Sequence, residues 1–149
     1  MKTVTLATLL ATTLGASTPL LADDAGRGIH VYKSPSCGCC TDWVRHLQDH
    51  GFKVTVSETG NLNPIKAGAG LTPALASCHT AFIDGYVIEG HVPATDIRRL
   101  ITEAPKARGL SVPGMPAGSP GMTMGGRQDP YQVLLFNDAG QTRVFAEYR

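Results

Sequence analysis

Apolar and polar residues alternate along GIHVYKS (residues 28–34), with Ile29 and Val31 on one side and His30 and Tyr32 on the other. That period of two predicts a half-buried β-strand. In TDWVRHLQDHG (41–51) the spacing changes, and Trp43, Val44 and Leu47 recur about one helical turn apart. A helix is predicted there, opened by Thr41 or Asp42 as N-cap and closed by Gly51. FKVTVSE (52–58) returns to alternation and reads as a second strand, whereas GNLNPIKAGAGLTPALA (60–76) is glycine-rich, only weakly helical, and reads as a connection. HTAFIDGYVIEG (79–90) carries the sharpest local signal. Two β-rich runs flank Asp84–Gly85, a dipeptide suited to a tight hairpin turn with positive φ. VPATDIRRLITEA (92–104) then sets Ile97, Leu100 and Ile101 on one helical face, with Pro93 in the first turn and Pro105 past the end.

GLSVPGMPAGSPGMTMGGR (109–127) breaks the periodicity. It holds six glycines, three prolines and three methionines, and is expected to be a long loop, neither helix nor strand. YQVLLFNDAGQTRVFAEYR (131–149) closes the chain with two β-runs around Asn137–Gly140, an extra C-terminal hairpin. The resulting order is β–α–β–loop–β–β–α. A parallel strand pair joined by a helix, followed by a hairpin and a packing helix, makes an α/β sandwich. No internal repeat or linker divides residues 28–149, so a single domain is expected.

The N-terminus lies outside this pattern. Lys2 is followed by an uncharged stretch from Val4 to Leu21, then by small residues and the acidic pair Asp23–Asp24. A short basic start, an apolar stretch and a small-residue exit describe a secretory signal peptide, expected to be residues 1–22 with cleavage after Ala22. The stretch is threonine-rich and short for a span of ~20 strongly apolar residues. Cleavage removes one base and no acid, taking the formal charge from +1 to zero. A neutral chain with no basic run has no electrostatic footprint for nucleic acid or anionic lipid, and no other segment is suited to span a membrane. A small molecule or a metal ion is the better-fitting partner.

Export changes the meaning of the cysteines. Four thiols in an oxidising compartment would ordinarily form two structural disulfides. Yet Cys37, Cys39 and Cys40 crowd into CGCC, where neighbours such as Cys39–Cys40 seldom bridge and a Cys37–Cys40 loop is too small to staple much. Two other readings stand. One is a C-x-x-C redox dithiol, Cys37 and Cys40, with a third cysteine inside it. The other is a thiolate cluster for a soft metal, since thiolates and thioethers favour Cu(I) whereas magnesium and calcium want oxygen. A helix N-terminus beside Cys37 and Cys40 favours thiolate. Zinc fits less well, because four-cysteine zinc sites usually draw their ligands as separated pairs. Helix geometry is expected to discriminate dithiol from cluster. A helix starting at or before Gly38 would turn Cys39 ~200° from Cys37, at ~3.6 residues per turn, while a start at Thr41 or Asp42 leaves three sulfurs free to converge.

VYKSPSCGCC followed by a helix resembles the first strand, active-site loop and first helix of glutaredoxins and thioredoxins. CHTAFIDGYVIEG resembles the glutaredoxin hairpin preceded by a Val–cis-Pro dipeptide, with Cys78 on the valine and His79 on the proline. The resemblance implies a thioredoxin-like (glutaredoxin-like) sandwich in which Cys78 and His79 pack beside the CGCC loop. A cis bond before a non-proline residue costs ~2.5–4 kcal/mol, so the Cys78–His79 peptide is expected to be trans. CGCC, LASCHTAFIDGYVIEGHVPATDI and GLSVPGMPAGSPGM, in that order, are similar to the domain-of-unknown-function 411 family, whose characterised members are exported copper-binding proteins of the CopG type. That resemblance spans residues 29–122. It implies a multinuclear Cu(I) site on Cys37, Cys39, Cys40 and Cys78, a periplasmic role in copper resistance, and interconversion of Cu(I) and Cu(II). The partners it implies are copper ions and other periplasmic copper-handling proteins.

Further donors surround that set. His79 adjoins Cys78, His91 ends the EGHVP turn, and Met115 is held extended between Pro113 and Pro116, so all three are candidate ligands. Met122 and Met124 are weaker candidates. His30, His46 and His50 read as strand- or helix-surface residues, and Trp43 and Phe52 as core. In the alternative reading, a thiol–disulfide oxidoreductase, Cys37 is the catalytic nucleophile and Cys40 the resolving thiol.

Overall fold

The computed structural model describes residues 26–149, so the expected signal peptide lies outside the described residues. Strand β1 (Gly28–Lys33) leads through helix α1 (Gly38–Asp49) to β2 (Lys53–Glu58). A short α2 (Asn63–Gly68) precedes the hairpin of β3 (Thr80–Ile83) and β4 (Tyr86–Glu89). Then follow α3 (Ala94–Glu103), β5 (Gly109–Ser111), β6 (Tyr131–Phe136) and β7 (Thr142–Tyr148). The strands form one mixed sheet in the order β2-β1-β3-β4-β5-β6-β7. Its two parallel pairs, β1 with β2 and β4 with β5, are those bridged by α1 and α3, as parallel neighbours need a crossover. The remaining pairs are antiparallel.

The alternation in the sequence decides which face each side chain occupies. Ile29 and Val31 of β1 join Ala81, Ile88 and Leu110 beneath Trp43, Val44 and Leu47 of α1 and Ile97 and Leu100 of α3. On the opposite face Val87 and Phe136 pack with Ala69 and Leu75, from the segment after α2. Strand β4 is therefore buried on both sides, which suits its consecutive β-branched pair Val87–Ile88, one on each face. Asp84 (φ 48°) and Gly85 (φ 83°) both lie in the left-handed region, giving the expected two-residue hairpin turn.

Three local expectations are corrected. Helix α1 starts at Gly38, not at Thr41 or Asp42. Cys37 is its N-cap, with extended backbone and no side-chain cap bond, and its carbonyl accepts from the Thr41 amide at 3.3 Å. Burial of Cys40 and Trp43 stabilises a first turn that capping chemistry does not advertise. The start of the Gly/Pro/Met stretch is strand β5, fully buried between β4 and β6. Three residues are too few to show a period. His46, expected on the helix surface, is half-buried, and its Nε2 accepts from the Ala94 amide at 3.1 Å, in the first turn of α3. Nearby, Trp43 Nε1 donates to the Val92 carbonyl at 2.9 Å. These two bonds join α1 to the segment running from His91 into α3.

Candidate metal centre

Sheet order explains why distant residues meet. Tyr32 of β1 pairs with Thr80 of β3, which pairs with Glu89 of β4. The chain leaving β1 towards Cys37, the chain entering β3 from Cys78 and His79, and the chain leaving β4 towards His91 therefore share one end of the sheet.

The Sγ atoms of Cys37, Cys39, Cys40 and Cys78 lie within 4.8 Å of one another. Cys37 and Cys40 are joined as a disulfide, while Cys39 and Cys78 are half-buried free thiols. Cys39 Sγ sits 3.5 Å from Cys37 Sγ. The expectation that a helix starting at Gly38 turns Cys39 away is thus wrong. Cys37, as N-cap, is extended (φ −84°, ψ 95°), so helical rotation does not separate it from Cys39. Side chains in a first turn also lean back towards the helix N-terminus.

Cys78 belongs to a second group as well. Its Sγ is 3.2 Å from His79 Nδ1 and 3.1 Å from His91 Nε2, and these three donors also lie within 4.8 Å of one another. His91 Nδ1 donates to the Pro120 carbonyl at 2.8 Å. That bond fixes the tautomer and leaves Nε2 with a lone pair facing Cys78. The His79 ring is fully buried, tilted on Trp43 at 4.3 Å between centroids and edge-on to His91 at 4.9 Å. Its Nε2 is the one buried side-chain nitrogen or oxygen, among the described residues, without a partner. Such orphans are rare and cost ~1–3 kcal/mol. The Cys78–His79 peptide is trans.

Burial sets the protonation states. It pushes His79 well below the usual imidazole value, with His91 and Lys66 adding to the effect. It also lowers His91, against the pull of the Pro120 carbonyl. The Cys78 thiol is pushed up to about 11, first by burial, with the Ser77 hydroxyl opposing and Cys39 reinforcing. Without a cation the centre therefore holds neutral imidazoles and a protonated thiol, and a metal ion must displace the thiol proton. Sulfur and imidazole suit copper, and no carboxylate belongs to either donor group, which disfavours magnesium or calcium.

The Gly/Pro/Met loop walls the centre. The Ser77 hydroxyl donates to the Gly114 carbonyl, the Gly114 amide donates to the Ala76 carbonyl at 3.1 Å, and Pro120 holds His91. Gly121, at φ +82°, passes so close to α1 that a Cβ would sit 2.6 Å from Trp43 N and 2.7 Å from Cys39 O. Met115, the remaining expected donor, is 54% exposed beside the anchored Gly114, and Met124 is 55% exposed, while Met122 is buried. Sequence reasoning did not single out Ser77, Thr80, Lys66, Glu89 or the Pro120 carbonyl. Glu89 carried the one available signal, a charged residue closing a strand buried on both faces.

The model of the family described as "Protein of unknown function, DUF411" matches residues 75–122. Among curated proteins none matches this sequence. Two solved structures do. One, titled copper resistance protein copG, form 2, is 47% identical over 83% of this chain and 99% of that one, with a TM-score of 0.79. The other, titled copper resistance protein copG, form 1, is 48% identical over 82% of this chain and 97% of that one, with a TM-score of 0.78. Their likeness is one of overall mixed α/β fold. Nearly half identical to a solved copG over almost all of that protein's length, this chain belongs to the DUF411 family of CopG-type proteins.

Proposed function

We propose that this chain is an exported copper-binding protein of copper resistance, holding Cu(I) on a multinuclear cluster bridged by thiolates of Cys37, Cys39, Cys40 and Cys78. The observation that carries the reading is the convergence of four Sγ atoms within 4.8 Å. The solved relatives, named copper resistance proteins, support copper as the metal. One Cu(I) rarely needs four sulfurs, and several ions sharing them relieve the repulsion among four thiolates. In this reading residues 1–22 direct export to the periplasm and are removed, leaving residues 28–149 as a single thioredoxin-like domain with an added C-terminal hairpin. Full loading requires two-electron reduction of the Cys37–Cys40 bond by an external dithiol or two equivalents of a thiol, which breaks the S–S bond, leaves two protein thiols and oxidises the reductant to its disulfide. Copper then takes the place of the thiol protons. His79 and His91 supply nitrogen next to Cys78, and a mixed sulfur–nitrogen shell accommodates Cu(II) better than thiolates alone. That supports interconversion of Cu(I) and Cu(II), with Met115 available as a thioether on the loop.

The test is Cys39→Ser, read by Cu(I) retention against a chromophoric chelator. Loss of at least half the bound copper is expected. Retention equal to the parent would remove the cluster.

A second reading, a thiol–disulfide oxidoreductase, is favoured by the Cys37–Cys40 disulfide and by the helix start at Gly38. Cys37 is half-buried and Cys40 fully buried, the arrangement expected of an attacking and a resolving thiol. The same variant separates the two, since dithiol exchange between Cys37 and Cys40 does not need Cys39.

A further inference from the structure

The copper chemistry makes no use of Glu89, yet Glu89 is fully buried at the end of β4. A carboxylate is rarely placed so unless it is paired and hydrogen-bonded. Its Oε1 accepts from the Ser77 amide at 2.6 Å and from the Lys66 ammonium, and its Oε2 accepts from the Thr80 hydroxyl at 2.6 Å. Lys66 Nζ also donates to Thr80 Oγ1 at 3.0 Å. Ser77 immediately precedes, and Thr80 immediately follows, the Cys78–His79 pair. The residue just past the strand continues the grip, with the Gly90 amide donating to the His79 carbonyl at 3.1 Å.

We infer that Glu89 is a positioning residue, a buried carboxylate that clamps the trans Cys78–His79 dipeptide on both sides and holds the Cys78 sulfur against Cys39 and the CGCC loop. The inference rests on the reading that Cys78 acts together with those sulfurs. A carboxylate suits the task because it presents two acceptor oxygens, one for each side of the dipeptide, and Lys66 offsets its charge. Glutamine keeps the shape but supplies one oxygen and loses the ion pair. Removing one acceptor frees one flank of the segment, and loss of a group that orients a metal ligand typically costs ~10–100-fold in metal affinity or activity.

The test needs no copper, so its outcome is separable from that of the copper reading. In a full-length Cys37→Ser/Cys40→Ser background the remaining thiols are Cys39 and Cys78. Equilibration with a glutathione redox buffer gives the effective concentration of one thiol at the other, and circular dichroism reports folding. Glu89→Gln is expected to lower that effective concentration at least tenfold, and Thr80→Val, which removes the hydroxyl bonded to Glu89 and Lys66 and leaves the Ser77 side of the clamp intact, at least threefold. A merely structural glutamate would lower the melting temperature and leave the effective concentration of the folded protein unchanged. An effective concentration within twofold of the background in a folded Glu89→Gln protein overturns the inference. If Glu89→Gln does not fold, the same result in Thr80→Val overturns it.

Discussion

Acid should loosen the joint between α1 and the chain that follows His91, and His46 is the group responsible. Its Nε2 accepts from the Ala94 amide at 3.1 Å, which only a neutral imidazole does. Burial first, then the neighbouring His50, push its pKa from 6.5 down to about 4, against the opposing pull of Asp49. The unfolded chain regains the ordinary value, so between these two pH values the unfolded state binds more protons than the folded one. The stability contributed by neutral His46 is therefore complete above pH 6.5 and is lost as the pH falls towards 4. At ~1.4 kcal/mol for each tenfold change in proton affinity, the gap corresponds to about 3 kcal/mol at most. Partial exposure of the ring and solvent screening bring this to roughly 1–2 kcal/mol. The assay is urea unfolding of the metal-free protein between pH 4.5 and pH 8, beside His46→Gln, whose amide oxygen can accept the same bond without titrating. The difference in unfolding free energy should be constant above neutral pH and move in favour of the variant by ~1–2 kcal/mol at the acid end. A difference that stays flat across the range would refute the assignment.

Two further outcomes follow from the geometry. Gly121→Ala places a Cβ against the Trp43 and Cys39 backbone at 2.6 and 2.7 Å, in a left-handed conformation, and backbone cannot swing aside. It should cost ~1–3 kcal/mol in a thermal melt and, by shifting the Pro120 carbonyl off His91, lower Cu(I) affinity by ~10–100-fold in chelator competition. Reduction of the Cys37–Cys40 disulfide should raise the thiol count under denaturing conditions from the two free cysteines, Cys39 and Cys78, to all four, and raise Cu(I) capacity in parallel. Equal capacity before and after reduction would contradict a cluster that uses Cys37 and Cys40.

Legibility in the sequence tracked how local each interaction is. The strand and turn of residues 79–90 were readable because alternation and the Asp84–Gly85 turn act within a few residues. The start of α1 was not, because Thr41 and Asp42 are better caps than Cys37 by side-chain chemistry, and burial of Cys40 and Trp43 outweighs that preference. Strand β5 was hidden for a similar reason, since its three residues become strand by lying between β4 and β6 rather than by any pattern of their own. The meeting of the CGCC loop with Cys78 was legible through resemblance to a known hairpin, not through spacing. His91 is singled out as a candidate by its motif, but the Pro120 carbonyl that orients it is backbone and leaves no trace in side-chain identity. Glu89 left only the faint mark of an acid closing an apolar strand, and the buried bond of His46 left none, because a histidine on an amphipathic helix ordinarily faces water.

A multinuclear copper site requires the four sulfurs to act as one binding unit. Anaerobic Cu(I) titration of the fully reduced protein, followed by X-ray absorption at the copper edge, measures this directly. More than one copper per chain, a first shell dominated by sulfur and a short copper–copper vector are the expected result. Saturation at a single copper per chain, with no copper–copper scattering, would contradict it.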